Sequence, residues 1–244
     1  MIDIRELRRD FGGIHALAGV DLRIEPGERR AVIGPNGAGK TTLFNVLTGE
    51  LRPNGGSIRL DGAALTGLTT WQRARLGLVR MYQRNELFDP LSALENVLLS
   101  IGSLGGAYRP FRSPLPAERI EAEEVLARVG LADRRSVTAR TLSHGERRQL
   151  ELALALARQP VVLLLDEPTA GMSPAETERI TALIAGLERR LTVLIVEHDM
   201  DVVFRLADRI TVMHEGRAIA EGTPNEIRAD RRVHDVYLGK AVEA

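Results

Sequence analysis

Short apolar runs, many of them rich in β-branched residues, alternate with stretches of helical periodicity along most of the chain. This alternation is typical of an α/β domain with a largely parallel sheet. Two turn sequences, Glu25-Pro26-Gly27-Glu28 and Glu215-Gly216-Arg217, lie between strand-like runs and indicate hairpins, so some antiparallel pairing is expected as well. The predicted strands are Ile2–Leu7, Val20–Ile24, Arg30–Ile33, Ser57–Leu60, Leu78–Tyr82, Val161–Leu165, Thr192–Val196, Ile210–His214 and Ala218–Glu221.

The centre of the chain has a different pattern. From about Leu87 to Arg158 the apolar positions follow a helical period, interrupted by a Gly-, Pro- and Ser-rich loop at Gly102–Pro116. The simplest organisation is one domain over residues 1–244. Its core lobe would comprise residues 1–83 and 159–244, and a helical lobe of residues 84–158 would be inserted into it.

Composition excludes several classes of protein. The 33 basic and 33 acidic residues balance, which argues against a broad basic surface for nucleic acid. Cysteine is absent from the sequence, so neither disulfides nor thiolate metal sites can form. The most apolar stretch, Leu150–Leu165, contains Glu151, Arg158 and Pro160 and is too short for a membrane span, which needs about 20 apolar residues. We therefore expect a cytoplasmic protein that reaches a membrane only through a partner.

A phosphate-binding loop follows the predicted strand that ends at Ile33. The segment Gly34-Pro35-Asn36-Gly37-Ala38-Gly39-Lys40-Thr41-Thr42 satisfies G-x-x-x-x-G-K-[ST]. Its glycines let backbone amides surround phosphates, and the following helix adds its N-terminal amides. Lys40 is one of only two lysines among the 33 basic residues, and its compact ammonium fits between phosphate oxygens where a planar guanidinium does not. The alternative is a glycine-rich turn with an exposed lysine.

Two acids follow the fully apolar run that ends at Leu165. Such a strand lies inside a sheet and delivers Asp166 to its C-terminal edge, where ligands of parallel sheets bind. Asp166 can hold Mg²⁺, and Glu167 is suited to accept a proton from an attacking water. The alternative is a solvated turn after the strand.

The segment Leu142-Ser143-His144-Gly145-Glu146 precedes an apolar-periodic helix that extends from Arg147 to about Arg158. Ser143 and Glu146 form an S-x-x-E capping box, which alone would explain the segment structurally. The order of motifs is far more restrictive. The phosphate loop is followed by Gln83 after a strand, by this segment, by the acid-ended strand, and by Val196-Glu197-His198-Asp199.

On these residues the chain resembles the nucleotide-binding subunit of ABC transporters, from Asp10-Phe11-Gly12 to Asp235-Val236-Tyr237-Leu238-Gly239. The resemblance implies the ABC ATPase fold of the P-loop NTPases, a mixed sheet with an antiparallel β part and an inserted helical lobe. It also implies ATP and Mg²⁺ as ligands. The family signature L-S-G-G-Q completes the ATP site of the opposite subunit. Here His144 replaces its first glycine and Glu146 its glutamine, while Ser143 and Gly145 keep the hydroxyl and the amide for the γ-phosphate.

Further positions match the family one at a time. Phe11 matches the residue that stacks on adenine, Gln83 the link between Mg²⁺, water and the helical lobe, and His198 the switch histidine. The alternatives are a core aromatic, a surface glutamine and a strand-end histidine. Ser173 stands where many relatives carry Asp, yet Ser173-Pro174-Ala175-Glu176 is another capping box. The resemblance thus implies catalytic roles for Gln83, Glu167 and His198, nucleotide contacts from Phe11, Gly34, Pro35, Asn36, Gly37, Ala38, Gly39, Lys40, Thr41, Thr42, Leu142, Ser143, His144, Gly145 and Glu146, and metal ligation by Thr41, Gln83 and Asp166.

The resemblance also implies partners. Two ATP-binding subunits, identical or different, would face each other head to tail and sandwich two ATP molecules. A transmembrane permease would be contacted near Arg84–Asn96, where Leu87, Phe88 and Leu91 are either exposed or packed in the helical lobe. The subunit would lie peripherally on the cytoplasmic face of the plasma membrane, without direct contact to nucleic acid.

Only the similarity of short segments to one subfamily indicates the transported solute. Ala170-Gly171-Met172-Ser173-Pro174 and the C-terminal segment are similar to importers of branched-chain amino acids. Importers of urea or short-chain amides and the lipopolysaccharide-export ATPase remain alternatives. ABC ATPases that act on DNA or ribosomes usually carry paired cassettes or long insertions, and a P-loop kinase would not explain Ser143–Glu146 and His198 together.

Overall fold

The computed structural model describes residues 1–81, 87–102 and 114–233. The strands are β1 Ile2–Phe11, β2 Ile14–Ile24, β3 Arg29–Ile33, β4 Gly55–Leu60, β5 Ala63–Ala64, β6 Leu78–Met81, β7 Val162–Asp166, β8 Thr192–Val196, β9 Arg209–His214 and β10 Arg217–Gly222. The helices are α1 Lys40–Thr48, α2 Thr70–Arg75, α3 Ala93–Gly102, α4 Pro116–Arg128, α5 His144–Leu156, α6 Pro174–Ala185, α7 Met200–Leu206 and α8 Pro224–Ala229.

The first sheet is antiparallel, with strand order β2-β1-β4-β5. Strands β1 and β2 extend well beyond the predicted runs because they meet in a two-residue turn, Gly12-Gly13, where Phe11 pairs with Ile14. Both glycines have positive φ, the conformation that tight hairpin turns require. The sequence prediction missed this turn and the short strand β5.

The second sheet has the order β10-β9-β3-β8-β7-β6 and is parallel except for β10. Every residue of β3, β7 and β8 is buried. Strands that read as continuous apolar runs are thus covered on both faces, as expected for a parallel sheet packed between layers. The mixed α/β architecture with an antiparallel part is confirmed.

One of the two predicted hairpins is wrong. The turn at Glu25–Glu28 joins β2 in the first sheet to β3 in the second, so it carries the chain between sheets. Its backbone is tied to another element, since the Gly27 amide donates to Thr192 Oγ1 at 2.9 Å. A Cβ on Gly27 would lie 2.2 Å from the Arg189 carbonyl oxygen. The second predicted hairpin, at Glu215–Arg217, does connect the antiparallel pair β9 and β10 and is confirmed.

Helix α1 lies in a core shared by the two sheets, and a second core joins α3, α4 and α5 to the other face of the parallel sheet. The division into a core lobe (1–83, 159–244) and a helical lobe (84–158) remains our proposal. Tyr82, Gln83 and most of the predicted Gly102–Pro116 loop lie outside the described residues. Every helix in the described ranges is too short or too polar to cross a lipid bilayer.

Candidate active site

The predicted phosphate loop forms the turn from β3 into α1. Gly37 and Gly39 have φ of 81° and 100°, values that side chains rarely tolerate, and Gly39 caps the helix. Gly34 is required by packing, because a Cβ there would lie 2.2 Å from the Met213 carbonyl oxygen. The loop therefore runs close to neighbouring backbone and directs its chain into the start of α1.

Lys40 is folded back over this loop. Its Nζ donates to the carbonyl oxygens of Gly34 at 2.7 Å and Pro35 at 3.0 Å, and the residue is only 6% exposed. Burial lowers the pKa of Lys40, and the negative charges of Glu167 and Asp166 oppose that shift. The alternative of an exposed turn lysine is wrong, since the ammonium is buried at the loop within the field of both acids.

Sheet order brings Asp166, Glu167 and His198 to the same edge as the phosphate loop. Strand β8 lies between β3 and β7, so the parallel strands deliver the phosphate loop, Asp166-Glu167 and His198 to one C-terminal edge. The Glu167 amide donates to the Val196 carbonyl at 2.8 Å. His198 Nε2 lies 3.0 Å from Glu167 Oε1. Three separate stretches of sequence thus converge where ligands of parallel sheets bind.

Glu167 has an unusual backbone. Its φ of 47° lies in the left-handed region, which for a residue other than glycine costs about 1–3 kcal/mol and persists where neighbouring contacts enforce it. Asp166, just before it, is 2% exposed. The alternative of a solvated turn after β7 is therefore wrong.

Arg80 was missed by sequence reasoning. From β6 its Nη2 donates to Asp166 Oδ2 at 2.5 Å, and its Nη1 donates to Asn45 Oδ1 at 2.6 Å. The guanidinium also lies over the Phe44 ring of α1. Within residues 1–81, 87–102 and 114–233, the buried Asp166 Oδ1 has no hydrogen-bond partner. One carboxylate oxygen is thus fixed by Arg80, and the other is a ready acceptor.

That acceptor suits a hard divalent cation, which prefers carboxylate oxygens. In residues 1–81, 87–102 and 114–233, no group of three or more His, Cys, Asp or Glu side chains could hold a metal ion. An Mg²⁺ ion at Asp166 would therefore rely on a hydroxyl, water and phosphate oxygens, as Mg²⁺ does in nucleotide sites. Predicted ligand Thr41 is exposed in the first turn of α1, and Gln83 lies outside the described residues.

Glu197 also belongs to the site, although the sequence prediction assigned it no role. Buried at the end of β8, it accepts hydrogen bonds from the Thr169 amide at 3.0 Å, the Thr169 hydroxyl at 2.5 Å and the His198 amide at 2.9 Å. It therefore fixes the turn after Asp166-Glu167 to the segment that carries His198. An acid directly after a buried strand was the available signal.

The predicted capping box at Ser143 is confirmed as the start of α5. Ser143 Oγ accepts from the Glu146 amide at 3.3 Å, and Glu146 Oε2 accepts from the Ser143 amide at 2.9 Å. These bonds, with Arg134 adding its charge, lower the pKa of Glu146. His144 and Ser143 are exposed, whereas Leu142 and Gly145 are buried.

The signature helix also contacts the turn beyond the acids. Glu176 Oε1 accepts from the Gly145 amide at 3.0 Å, while its Oε2 accepts from the amide and hydroxyl of Ser173 at 3.0 and 2.7 Å. Ser173 thus caps α6, which begins at Pro174. The described hydrogen bonds of Ser143, Gly145 and Glu146 therefore lie within their own helix or go to Arg134 and Glu176, and the Leu142 amide donates to the Ala139 carbonyl at 3.2 Å.

Phe11 lies at the hairpin end of β1 and is 42% exposed, with the Arg9 guanidinium 4.6 Å from its ring. The core-aromatic alternative is wrong. Beyond the hairpin, β2 passes the phosphate loop, since a Cβ on Gly39 would lie 2.4 Å from the Ala16 carbonyl. The exposed ring is therefore on the strand pair that borders the loop.

The predicted partner surface, Arg84–Asn96, is described from residue 87 onward. Phe88 is exposed, whereas Leu87 is half-buried and packs against the helical core. Asn96 holds the Phe88 backbone, accepting from its amide at 2.8 Å and donating to its carbonyl at 3.2 Å. Of the two alternatives predicted for these apolar residues, exposure therefore holds for Phe88 and packing in the helical lobe holds for Leu87.

Comparison with known proteins identifies the family. Residues 17–170 match the family model described as ABC transporter. The chain belongs to the ABC transporter family. Within it, the chain is an ATP-binding subunit, an ATPase that powers a transporter. Residues 219–243 match a second model, described as branched-chain amino acid ATP-binding cassette transporter.

The ABC ATPase has relatives and structural neighbours over nearly its whole length. It is 41% identical to the high-affinity branched-chain amino acid transport ATP-binding protein BraF of Pseudomonas aeruginosa, covering 99% of this chain and 98% of BraF. The ADP conformation of the ATP-binding cassette MJ1267 superposes with a TM-score of 0.88 at 28% identity, covering 98% of each chain. The dimeric post-hydrolysis structure of the cassette MJ0796, bound to ADP and Pi, has a TM-score of 0.78 at 28% identity, covering 92% of this chain and 99% of that one.

Proposed function

We propose that this ABC ATPase drives the import of branched-chain amino acids. Two features support this solute class: the similarity to BraF across both chains, and the match of residues 219–243 to the branched-chain model. The subunit would be held on the cytoplasmic face of the plasma membrane by a permease that contacts the surface around residues 84–96.

The observation that carries the ATPase role is the convergence at one sheet edge of Lys40, Asp166, Glu167 and His198. Loop amides, the α1 N-terminus and Lys40 would bind the phosphates. Glu167 would accept the proton of the attacking water. His198, whose Nε2 lies 3.0 Å from the Glu167 carboxylate, would orient that carboxylate.

Asp166, Thr41 and Gln83 would hold Mg²⁺, which when bound neutralises charge on the β- and γ-phosphate oxygens. The buried Asp166 Oδ1 supports this assignment because it is an acceptor to which none of the described residues donates a hydrogen bond. Arg80 keeps the other oxygen of that carboxylate in place.

Two subunits, identical or different, would enclose ATP between the phosphate loop of one and the Leu142–Glu146 signature of the other, with Phe11 stacking on adenine. Ser143 and the buried Gly145 sit at the N-terminus of α5, which suits a γ-phosphate. The dimeric form of the MJ0796 cassette supports this arrangement.

The substitution Glu167→Gln tests the site. It keeps the shape and removes the base, so kcat should fall by about 10²–10⁴-fold while ATP affinity is retained. Steady-state ATPase assays and nucleotide titration measure the two quantities. The control Glu188→Gln changes an acid beyond α6 and should leave both unchanged. Undiminished hydrolysis by the Glu167 variant would reject Glu167 as the base.

The solute is tested with the subunit and its permease reconstituted in vesicles. Leucine, isoleucine and valine should stimulate ATP hydrolysis by the complex, and Glu167→Gln should abolish that stimulation. Urea and short-chain amides are tested separately as the alternative solutes. Stimulation by these and not by the amino acids would move the protein to the other importer class.

A further inference from the structure

Arg148 joins the signature helix to the turn that carries the acids. It lies in the second turn of α5 and is buried. Its Nε donates to the Pro168 carbonyl at 2.9 Å, and its Nη2 donates to the carbonyls of Glu167 at 2.8 Å and Asp166 at 3.3 Å. One guanidinium therefore holds three consecutive carbonyls, those of residues 166–168 at the end of β7, a role for which its several donors are suited.

The buried charge of Arg148 is balanced within its own helix. Its Nη1 donates to Glu151 Oε2 at 2.8 Å, three residues along α5, and both side chains are almost fully buried. Because Glu151 balances the charge, Nε and Nη2 can donate to the turn without leaving an uncompensated charge in the interior. The pair also gives a way to separate charge balance from the carbonyl contacts.

The contact falls on Glu167, whose backbone lies in the left-handed region. Glu167 has φ of 47°, and its amide is bound to Val196 while its carboxylate meets His198. A residue in the left-handed region returns to ordinary conformations unless its peptides are held. Release of the carbonyl would let the peptide rotate and would move the carboxylate.

We infer that Arg148 is a positioning residue for hydrolysis: from the signature helix it holds the Glu167 carbonyl and thereby sets the place of the Glu167 carboxylate. This inference rests on the proposed role of Glu167 as the base. Helix α5 begins at the signature, which in the proposed dimer contacts the ATP bound to the partner's phosphate loop. Arg148 therefore also connects this helix to the Glu167 carboxylate, which acts on the ATP bound to the subunit's own phosphate loop.

The first test is Arg148→Lys. A single ammonium cannot serve three carbonyls and Glu151 together, so kcat should fall by about 10- to 100-fold, the loss expected from displacing a reacting group by an ångström or less. The KM for ATP and the ATP affinity should stay within about twofold, because Arg148 is buried and donates to the backbone of the acid turn and to Glu151 instead of to the phosphate loop. The matched control Arg119→Lys makes the same change at an exposed arginine of α4 and should retain wild-type kcat.

A double-mutant cycle separates positioning from a general structural defect. In the Glu167→Gln background, Arg148→Lys should cause no further loss in single-turnover hydrolysis, because the carboxylate it positions is gone. An equal loss in both backgrounds, or wild-type kcat in Arg148→Lys alone, would overturn the inference. If Arg148→Lys does not fold, Arg148→Gln combined with Glu151→Gln removes both buried charges, and the same outcomes apply.

Failure of the base and failure of the positioning role give different results. Normal hydrolysis by Glu167→Gln overturns the proposed base and this inference with it. An inactive Glu167→Gln beside a fully active Arg148→Lys rejects the positioning role alone.

Discussion

The carboxylate of Asp166 is buried beside the guanidinium of Arg80. Arg80 binds Oδ2, and both side chains are nearly inaccessible to water. Two charges removed from water are tolerable when they meet in good geometry, but either one alone is not. Arg80 and Asp166 should therefore stabilise the fold chiefly by compensating each other.

Substitution of Arg80 by Met tests this dependence. The methionine fills a similar volume but leaves the Asp166 carboxylate buried without its partner, so the free energy of unfolding should fall by about 3–5 kcal/mol. Urea denaturation of the nucleotide-free protein measures the change. The control is Arg23→Met, which breaks an exposed pair with Glu25 and should cost about 0–1 kcal/mol. Equal losses for the two variants would contradict a special role for burial at Arg80.

Local spacing was enough to predict some residues of the site. Lys40, Asp166, Glu167 and Ser143 each belong to a short motif whose chemistry depends on neighbours in sequence. Arg80 could not be predicted in the same way, because Asp166 is 86 residues away in the chain. An arginine between the apolar Val79 and Met81 is the visible signal, yet its partner depends on β6 pairing with β7.

Elements were predicted well where one pattern determines them. Buried strands such as β8 read as uninterrupted apolar runs, and the structure has β8 at the predicted residues, 192–196. The Pro26-Gly27 turn was misassigned because its local chemistry is the same for a hairpin and for a passage between sheets. Only the pairing of β3 with β8 and β9 decides between them.

Helix starts share a device that makes them sensitive to acid. In the first turn of α3, Glu95 Oε2 accepts from the amide and hydroxyl of Ser92, both at 2.7 Å. In the first turn of α8, Glu226 Oε2 accepts from the amide and hydroxyl of Thr223 at 2.6 and 2.9 Å. These hydrogen bonds lower the pKa of both carboxyls below the ordinary 4.5. The carboxylates therefore stabilise the native state above pH 4.5, and the contribution is lost as pH falls through the lowered pKa.

The double variant Glu95→Gln and Glu226→Gln tests this linkage. It keeps the shape of both capping boxes but removes the charge, so it should be less stable than the parent protein near neutral pH. The gap in unfolding free energy should narrow as the pH drops below 4.5. Denaturant titrations across the acid range measure it, with Glu124→Gln on the exposed face of α4 as control. A difference in unfolding free energy that stays constant or widens in acid would exclude the two carboxylates as the source of the pH dependence.

At the scale of the molecule, the described contacts place the motifs in two separate groups. The phosphate loop, Glu167 and His198 lie along one sheet edge, whereas Ser143, Gly145 and Glu146 are bound to their own helix, Arg134 and Glu176. The order of motifs predicts the family, because that series is restrictive. It does not by itself decide whether loop and signature serve the same ATP, since that is a property of two chains.

A mixture of two inactive variants decides this. Lys40→Ala removes the phosphate ammonium, Ser143→Ala removes the signature hydroxyl, and each variant alone should hydrolyse ATP slowly. In a head-to-tail pair, a mixed dimer has one site with both defects and one site with neither, so the mixture should exceed the summed activities of its parts. About a quarter of all sites would be intact if subunits of this chain associate at random. Steady-state ATPase assays after mixing measure the recovery. If loop and signature acted within one chain, every site would keep a defect and mixing would restore nothing.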